Sequence, residues 1–171
     1  IAFNYYGSRD EDDSDQLQGL SDIGAGVDVS TFGTISFGKF NTEFKIRQDI
    51  SSNHDGLILS GRLGYNTSIT KKLRVNINIG TTFANKNYMN TYFGISNVQS
   101  SASGISQYNA GSSIKYFEGR LNFIYPVYKN WTALVFTKYV RLLNDAASSP
   151  LVKVVGSKNQ LKLGFGVAYR F

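Results

Sequence analysis

A run of acidic side chains near the start of the chain is the first group of residues that could do chemistry. Five carboxylates occupy the six positions 10–15, directly after Arg9. Carboxylate oxygens at alternate positions are ligands for Ca²⁺. The calcium-loop pattern fails, because Asp15 stands where such a loop needs glycine and Ser21 where it needs its last glutamate. We therefore interpret the segment as a solvated loop tip, with cation binding as the alternative.

His54 and Asp55 lie among several serines, which are the residue types of a hydrolytic triad. The triad needs the imidazole held between the nucleophile and the acid. A single histidine in a polar segment is more typical of a solvated turn residue, and the chain has no cysteine to serve as a thiol nucleophile or metal ligand. We predict a non-enzyme without catalytic residues, cofactor or metal centre; a hydrolase would lose activity on His54→Ala.

The basic residues give a formal net charge of +6 and are spread along the chain. Of the 18 Lys and Arg residues 17 follow Val29, together with only five of the 12 acidic residues. No nucleic acid is predicted as a partner, because no platform of alternating basic and aromatic residues is present. Lysines in the longer connections are interpreted as solubilising, or as contacts to lipopolysaccharide phosphates: Lys86, Lys153 and Lys158.

The elements that position these side chains are β-strands, because hydrophobicity alternates with a period of two. Near the end of the chain, one face carries Leu161, Leu163, Phe165, Val167, Tyr169 and Phe171, and the other carries Lys162, Gly164, Gly166, Ala168 and Arg170. Similar segments predict eight strands, the first over 1–6. A phase change at 37–40 predicts a two-residue hairpin turn.

The alternation alone does not say which face meets lipid, since a soluble lipocalin-like barrel has apolar residues inside. Strands of ten or more residues and aromatic residues near the strand ends favour a membrane orientation with apolar residues outside. Lys138 then faces inward, and Val135 and Tyr139 face outward. The predicted lumen charges are Glu43, Arg62, Arg74, Glu118 and Arg120, and we expect both glutamates to pair with interior arginines.

The connections between the strands alternate between long and short, which is the habit of outer-membrane barrels. The long ones cover about 7–22, 50–56, 85–111 and 144–158, and the short ones lie near 38–39, 69–72 and 128–131. No helix of useful length is visible. We predict an all-β fold: a single domain over 1–171 that forms an antiparallel transmembrane up-and-down β-barrel with about eight strands in this chain.

The last strand resembles the C-terminal signal of bacterial outer-membrane barrels. That signal has a polar residue, a glycine, and then hydrophobic or aromatic residues at alternate positions up to a terminal phenylalanine. The matching residues are Lys162, Gly164, Val167, Tyr169 and Phe171. The resemblance implies that the barrel assembly machinery handles the chain.

A narrower resemblance covers most of the chain: it is similar to the MipA/OmpV family, the MltA-interacting proteins. The best single piece is Ser149-Pro150 within the segment 145–152, whose Asp145, Ser149 and Pro150 we interpret as a loop motif, shaped by the proline and folded over the barrel mouth. The other pieces are Leu17-x-Gly19-Leu20, Arg47-Gln48-Asp49-Ile50, Tyr92-Phe93-Gly94-Ile95-Ser96 and Ser103-Gly104-Ile105.

The resemblance implies a protein of the Gram-negative outer membrane, in contact with membrane lipid and lipopolysaccharide. Family members have strands before the position that matches Ile1, which implies a barrel of ten to twelve strands of which this chain is the C-terminal portion. The implied function is a non-enzymatic scaffold that links the outer membrane to murein synthesis and murein hydrolysis. The alternative is a small diffusion channel, or porin-like uptake barrel, with a cationic lumen instead of a plug of salt-bridged side chains.

Overall fold

One antiparallel sheet of eight strands makes up most of the computed structural model, which describes residues 1–171. The strands are β1 (Ala2–Tyr6), β2 (Gly26–Phe37), β3 (Phe40–Asp49), β4 (Leu57–Ser68), β5 (Arg74–Ala84), β6 (Ser113–Tyr128), β7 (Trp131–Leu142) and β8 (Asn159–Tyr169). Strand order in the sheet follows the sequence, and the sheet curls into a half-barrel with β1 and β8 at its edges. The predicted fold class and strand number are confirmed.

Three tight connections lie at one end of the sheet, which we call the short-turn end. Phe37 and Phe40 pair across Gly38 and Lys39, so the predicted hairpin is present. Gly38 has a φ of 59°, a left-handed conformation that suits such a turn and that glycine adopts without steric cost. The other two turns span residues 69–73 and 129–130.

The convex face of the sheet is apolar and the concave face carries the charges, as the membrane orientation predicts. On the convex face, Phe165 is 87% exposed, Leu163 72% and Ile77 44%. In the concave face, the Glu118 side chain is only 4% exposed because basic side chains surround it. This is the opposite of a soluble barrel, in which the apolar side chains would fill the centre.

The opposite end, which we call the long-loop end, contains four short helices that the sequence analysis did not predict. They are α1 (Lys86–Phe93), α2 (Asn97–Ser103), α3 (Asn144–Ser148) and α4 (Pro150–Val154). Elements of five to eight residues are too short to show a helical period, so side-chain caps are the better signal. Asn85 caps α1 and a Ser96–Gln99 capping box begins α2. No helix in the chain has both the length and the apolar character to cross a membrane.

The helices α1 and α3 pack onto the sheet around a small hydrophobic core. Met89 of α1 and Ala146 of α3 are fully buried against residues of β4, β5 and β7. The remaining core members are Ile58, Ala84, Ala110, Val140 and Leu142. The long-loop end is therefore stabilised as a water-soluble protein is, by burial of apolar side chains.

Replacing Met89 with alanine should lower the free energy of unfolding by about 2–5 kcal/mol, because the methionine leaves a cavity in this core. Urea unfolding of the full-length protein in lipid vesicles measures the change. Val98→Ala on α2 is the control, since Val98 is 78% exposed, and it should stay within about 0.5 kcal/mol of wild type. Equal effects of the two substitutions would contradict the core described here.

Candidate functional site

A network of charged side chains crosses the concave face at mid-height. Arg62 of β4 contacts Glu43 of β3 at 2.8 Å and Glu118 of β6 at 3.2 Å. Glu118 also accepts contacts from Arg120 and from Lys138 of β7, both at 2.8 Å. The expected pairing of both glutamates with arginine is therefore present. The network spans the sheet from β3 to β7 and consists of charge-assisted hydrogen bonds.

The register of the strands explains how one arginine reaches two glutamates. Arg62 is opposite Glu43 on one side and Gly80 on the other, and Gly80 is in turn opposite Glu118. A Cβ atom at Gly80 would lie 3.4 Å from Cβ and Cγ of Arg62 and 2.9 Å from the carbonyl oxygen of Gly61. The absence of a side chain on β5 lets the guanidinium group extend across that strand.

Arg74, the fifth predicted lumen charge, does not join this network. It lies at the beginning of β5, opposite Ser68 and Ile124, and its side chain is exposed. The structure therefore brings together Glu43, Arg62, Glu118 and Arg120 and leaves Arg74 at the short-turn end. Lys138, which the sequence analysis placed inside, is the fifth member instead.

His54 was expected to be a solvated turn residue, and this expectation is wrong: the residue is 4% exposed. Its Nδ1 atom accepts a hydrogen bond from the Gly56 amide at 2.9 Å, and its Nε2 atom lies 3.4 Å from Oδ1 of Asp28. The Ser51 hydroxyl bonds to Asp49 and Tyr6 rather than to the imidazole. The residue types of a hydrolytic triad are present, but no nucleophile is positioned against the histidine.

Asp28 and Asp49 lie with His54 in a buried polar cluster that the sequence analysis missed. The two aspartates are directly opposite each other on β2 and β3. Asp49 accepts hydrogen bonds from the Tyr6 hydroxyl, the Ser51 amide and hydroxyl, and the amides of His54 and Asp55. Arg47 contacts the second oxygen of Asp28 at 3.0 Å. The sequence signal for this cluster was that Asp28 and Asp49 both have the inward parity of their strands, which pair with each other.

This cluster has the residue types of a metal site, since one ligand atom from each of its three residues lies within 4.8 Å of the others. The Nδ1 atom of His54 is occupied by an amide donor, and both oxygens of Asp49 already accept hydrogen bonds. Only Asp28 Oδ1 and His54 Nε2 remain free to coordinate, whereas zinc sites use three or four protein ligands. We therefore interpret the cluster as a charge network that fixes the 50–56 segment.

Three aromatic rings, one from β1 and two from α1, enclose the imidazole of His54. The ring centroids of Tyr6, Tyr88 and Tyr92 lie 5.0, 5.3 and 5.5 Å from that of His54. Burial raises the pKa of the Tyr92 phenol to about 12, and it raises the pKa of Tyr88 further. Both phenols are therefore uncharged at neutral pH, and they shield the cluster from solvent as neutral groups.

A bulge in β6 turns a further cation into the concave face. Thr82 pairs with Tyr116 and Phe83 with Ile114, so Lys115 is the extra residue between them. Its ammonium donates to the Tyr88 hydroxyl at 2.8 Å and lies 4.2 Å from the centroid of that ring. Bulges commonly redirect a side chain in this way.

The predicted loop motif ties the helices of the long-loop end together. Asp145 accepts a hydrogen bond from the Gly111 amide at 2.6 Å, and its carbonyl accepts one from the Tyr108 hydroxyl at 3.1 Å. Ser149 is fully buried and donates to the Phe93 carbonyl at 2.7 Å. Pro150 begins α4, where its missing amide costs nothing.

The acidic run 10–15 forms two short 3₁₀ turns in the first long connection. The carboxylate of Glu11 accepts hydrogen bonds from the amides of Gly19 and Ser21, and Asp13 accepts from the Asp10 amide. These carboxylates bind backbone donors of their own loop at the surface. The arrangement fits the interpretation of the run as a loop tip.

The last strand places the residues of the proposed assembly signal on both faces. Lys162 and Gly164 face inward, and Val167, Tyr169 and Phe171 face outward. A Cβ atom at Gly164 would lie 2.1 Å from Cζ of the Phe136 ring on β7, so a larger residue there would require that ring to move. This contact gives a packing reason for the glycine of the signal.

All of the charged residues at the short-turn end are basic. They are exposed, and we call them the basic rim: Lys39, Lys71, Lys72, Arg74, Lys129 and Arg170. Ten of the 12 acidic residues lie at the long-loop end, and the other two are Glu43 and Glu118 at mid-height. The two ends of the sheet therefore carry different charge.

An up-and-down antiparallel sheet with an apolar convex face, a charged concave face and one end of short turns defines an outer-membrane β-barrel protein. The family model of the MltA-interacting protein MipA matches residues 1–171, and the chain belongs to this family. It is therefore a protein of the outer membrane.

Two relatives support this assignment. The chain is 27% identical over 169 residues to outer membrane protein OmpV of Vibrio cholerae serotype O1, and 25% identical over 169 residues to outer membrane protein Omp26La of Vibrio anguillarum. Each alignment covers 95% of this chain and 61% of the relative, so the chain spans less than two thirds of their length. No solved structure matches the chain.

Replacing Glu118 with glutamine should lower the free energy of unfolding by about 3–5 kcal/mol, because three cations lose their shared buried counter-ion. Glu43→Gln is the matched control: its side chain is 35% exposed and has one partner, so the loss should stay near 1 kcal/mol. Urea unfolding in lipid vesicles measures both. A Glu118 variant as stable as the Glu43 variant would show that the network does not stabilise the sheet.

Proposed function

We propose that the intact protein is a non-enzymatic scaffold of the outer membrane that docks a murein-remodelling enzyme on its basic rim. The observation that carries the proposal is the charge distribution, with six exposed basic residues and no acidic residue at the short-turn end. Short turns of outer-membrane barrels face the periplasm, where murein enzymes act. The family description, MltA-interacting protein, supports a partner of this kind.

The concave face supports a closed scaffold better than an open channel. The network around Glu118 occupies its middle, and the helices α1 and α3 pack over its long-loop end, with α4 against them. Side chains held by mutual salt bridges occupy this part of the lumen and narrow the aqueous path through it. The surface available to a periplasmic partner is then the basic rim.

We further propose that strands outside residues 1–171 complete the sheet to a single barrel domain of ten to twelve strands. β1 pairs only with β2, and β8 only with β7. Unpaired backbone groups in the hydrocarbon layer cost several kcal/mol each, so both edges need partners. The greater length of the relatives supports this proposal.

The contacts proposed with the envelope follow from the same surfaces. The convex face would contact lipid, and Lys86, Lys153 and Lys158 at the long-loop end would contact lipopolysaccharide phosphates. The strand β8, with its Gly164 and terminal aromatic residues, would be the element that the barrel assembly machinery handles.

A variant with Lys71, Lys72 and Lys129 changed to glutamate should bind the partner at least tenfold more weakly, because the rim loses its attraction for acidic surfaces. The measurement is biolayer interferometry between the full-length protein in nanodiscs and the purified MltA-type transglycosylase of the same organism. Wild-type affinity should also fall as salt rises.

The matched control changes Lys86, Lys153 and Lys158 to glutamate at the opposite end, and it should bind as wild type does. Equal weakening in both variants, or no binding by wild type, would refute docking on the rim. Planar-bilayer recordings of the same protein test the alternative function. A steady anion-selective current would replace the scaffold with a channel.

A further inference from the structure

We propose that the long-loop end of the concave face contains a binding site for a small organic anion with an apolar body, such as an aromatic carboxylate. The site is a cavity of about 270 Å³ between β6, β7, β8 and the helices α1 and α4. Three lysines line it: Lys115, Lys138 and Lys162. The proposal goes beyond the scaffold function and does not depend on it.

The lysines bring more positive charge to this place than the neighbouring carboxylate balances. Lys138 and Lys162 are directly opposite each other on β7 and β8 and both face inward. Like charges in that position destabilise a strand pair. The ammonium groups of Lys115 and Lys138 lie 5.1 and 5.6 Å from the centroid of the Tyr116 ring, so both line the part of the cavity around that ring.

The carboxylate within reach is already shared by several cations. Glu118 binds Arg62, Arg120 and Lys138, which leaves no full negative charge for the other two lysines of the cavity. Lys115 donates to a neutral phenol, and Lys162 makes no salt bridge or hydrogen bond to another side chain. A bound anion would supply the missing counter-charge.

The rest of the cavity wall selects the body of the ligand. Phe93 of α1, Val140 of β7 and Val152 of α4 contribute apolar surface, and Val140 is itself 7% exposed. A hydrated inorganic ion gains nothing from such a wall, whereas an aromatic ring is desolvated against it. The volume lies slightly below the range of about 300–1,000 Å³ that drug-sized ligands fill, which fits a single ring with one acidic group.

The test uses 4-(trifluoromethyl)benzoate as the probe. Its binding to the full-length protein in nanodiscs is measured by ¹⁹F NMR titration. Wild type should show saturable binding, and the neutral 4-(trifluoromethyl)benzamide should bind at least tenfold more weakly. Lys162→Gln should weaken benzoate binding at least fivefold. This lysine is exposed and unpaired, so its substitution leaves the Glu118 network intact.

Lys45→Gln is the matched control, since Lys45 is a concave-face lysine of β3 outside this cavity, and it should bind the probe as wild type does. Val152→Asp should abolish binding, by placing a negative charge in the apolar wall. No saturable binding to wild type would overturn the proposal. So would equal binding of benzoate and benzamide, or equal loss in the Lys162 and Lys45 variants.

Discussion

The hydrocarbon layer imposes the constraint on which the rest of the structure depends. A backbone in lipid has to satisfy its hydrogen bonds within the protein, and paired strands are one of two ways to do so. Strand pairing makes side chains alternate, so the charges in the middle of the spanning strands lie on the concave side, and Arg141 faces outward only near the end of β7. Once gathered there, the charges have to neutralise one another, and the contacts of Arg62 and Glu118 across Gly80 are the result.

The two ends of the sheet follow different rules from the middle. At the long-loop end, the surroundings are aqueous and the chain forms a hydrophobic core like that of a water-soluble protein. Met89 of α1 and Ala146 of α3 are buried in it. The same end buries polar groups, and each of them needs partners: Asp49 accepts five hydrogen bonds to hold the segment that contains His54. At the short-turn end, the connections are too short to build a core, so their side chains, the charged ones all basic, stay exposed.

The period of two was enough to predict the strands, the hairpin at Gly38 and the inward position of Lys138. It failed where the chain departs from strict alternation. Lys115 has the parity of a lipid-facing residue, and only the bulge opposite Phe83 turns it inward. The burial of His54 depends on the α1 tyrosines and on Asp28, which are distant in sequence and meet only in the folded chain. The four helices were missed because they are too short to show a helical period: side-chain caps mark only α1 and α2, α4 begins at Pro150, and α3 has no side-chain cap.

The exposure of the convex face supports a completed barrel and links it to the proposed anion site. Ile77 and Ile79, in the middle of the sheet, are 44% and 48% exposed, whereas Leu163 and Phe165 on the edge strand are 72% and 87% exposed. All four face outward, and the two on β8 lack a second neighbouring strand. A strand paired with β8 would cover that edge. It would also stand beside Lys162, so the same addition that shields the apolar edge from water would enclose the open side of the cavity.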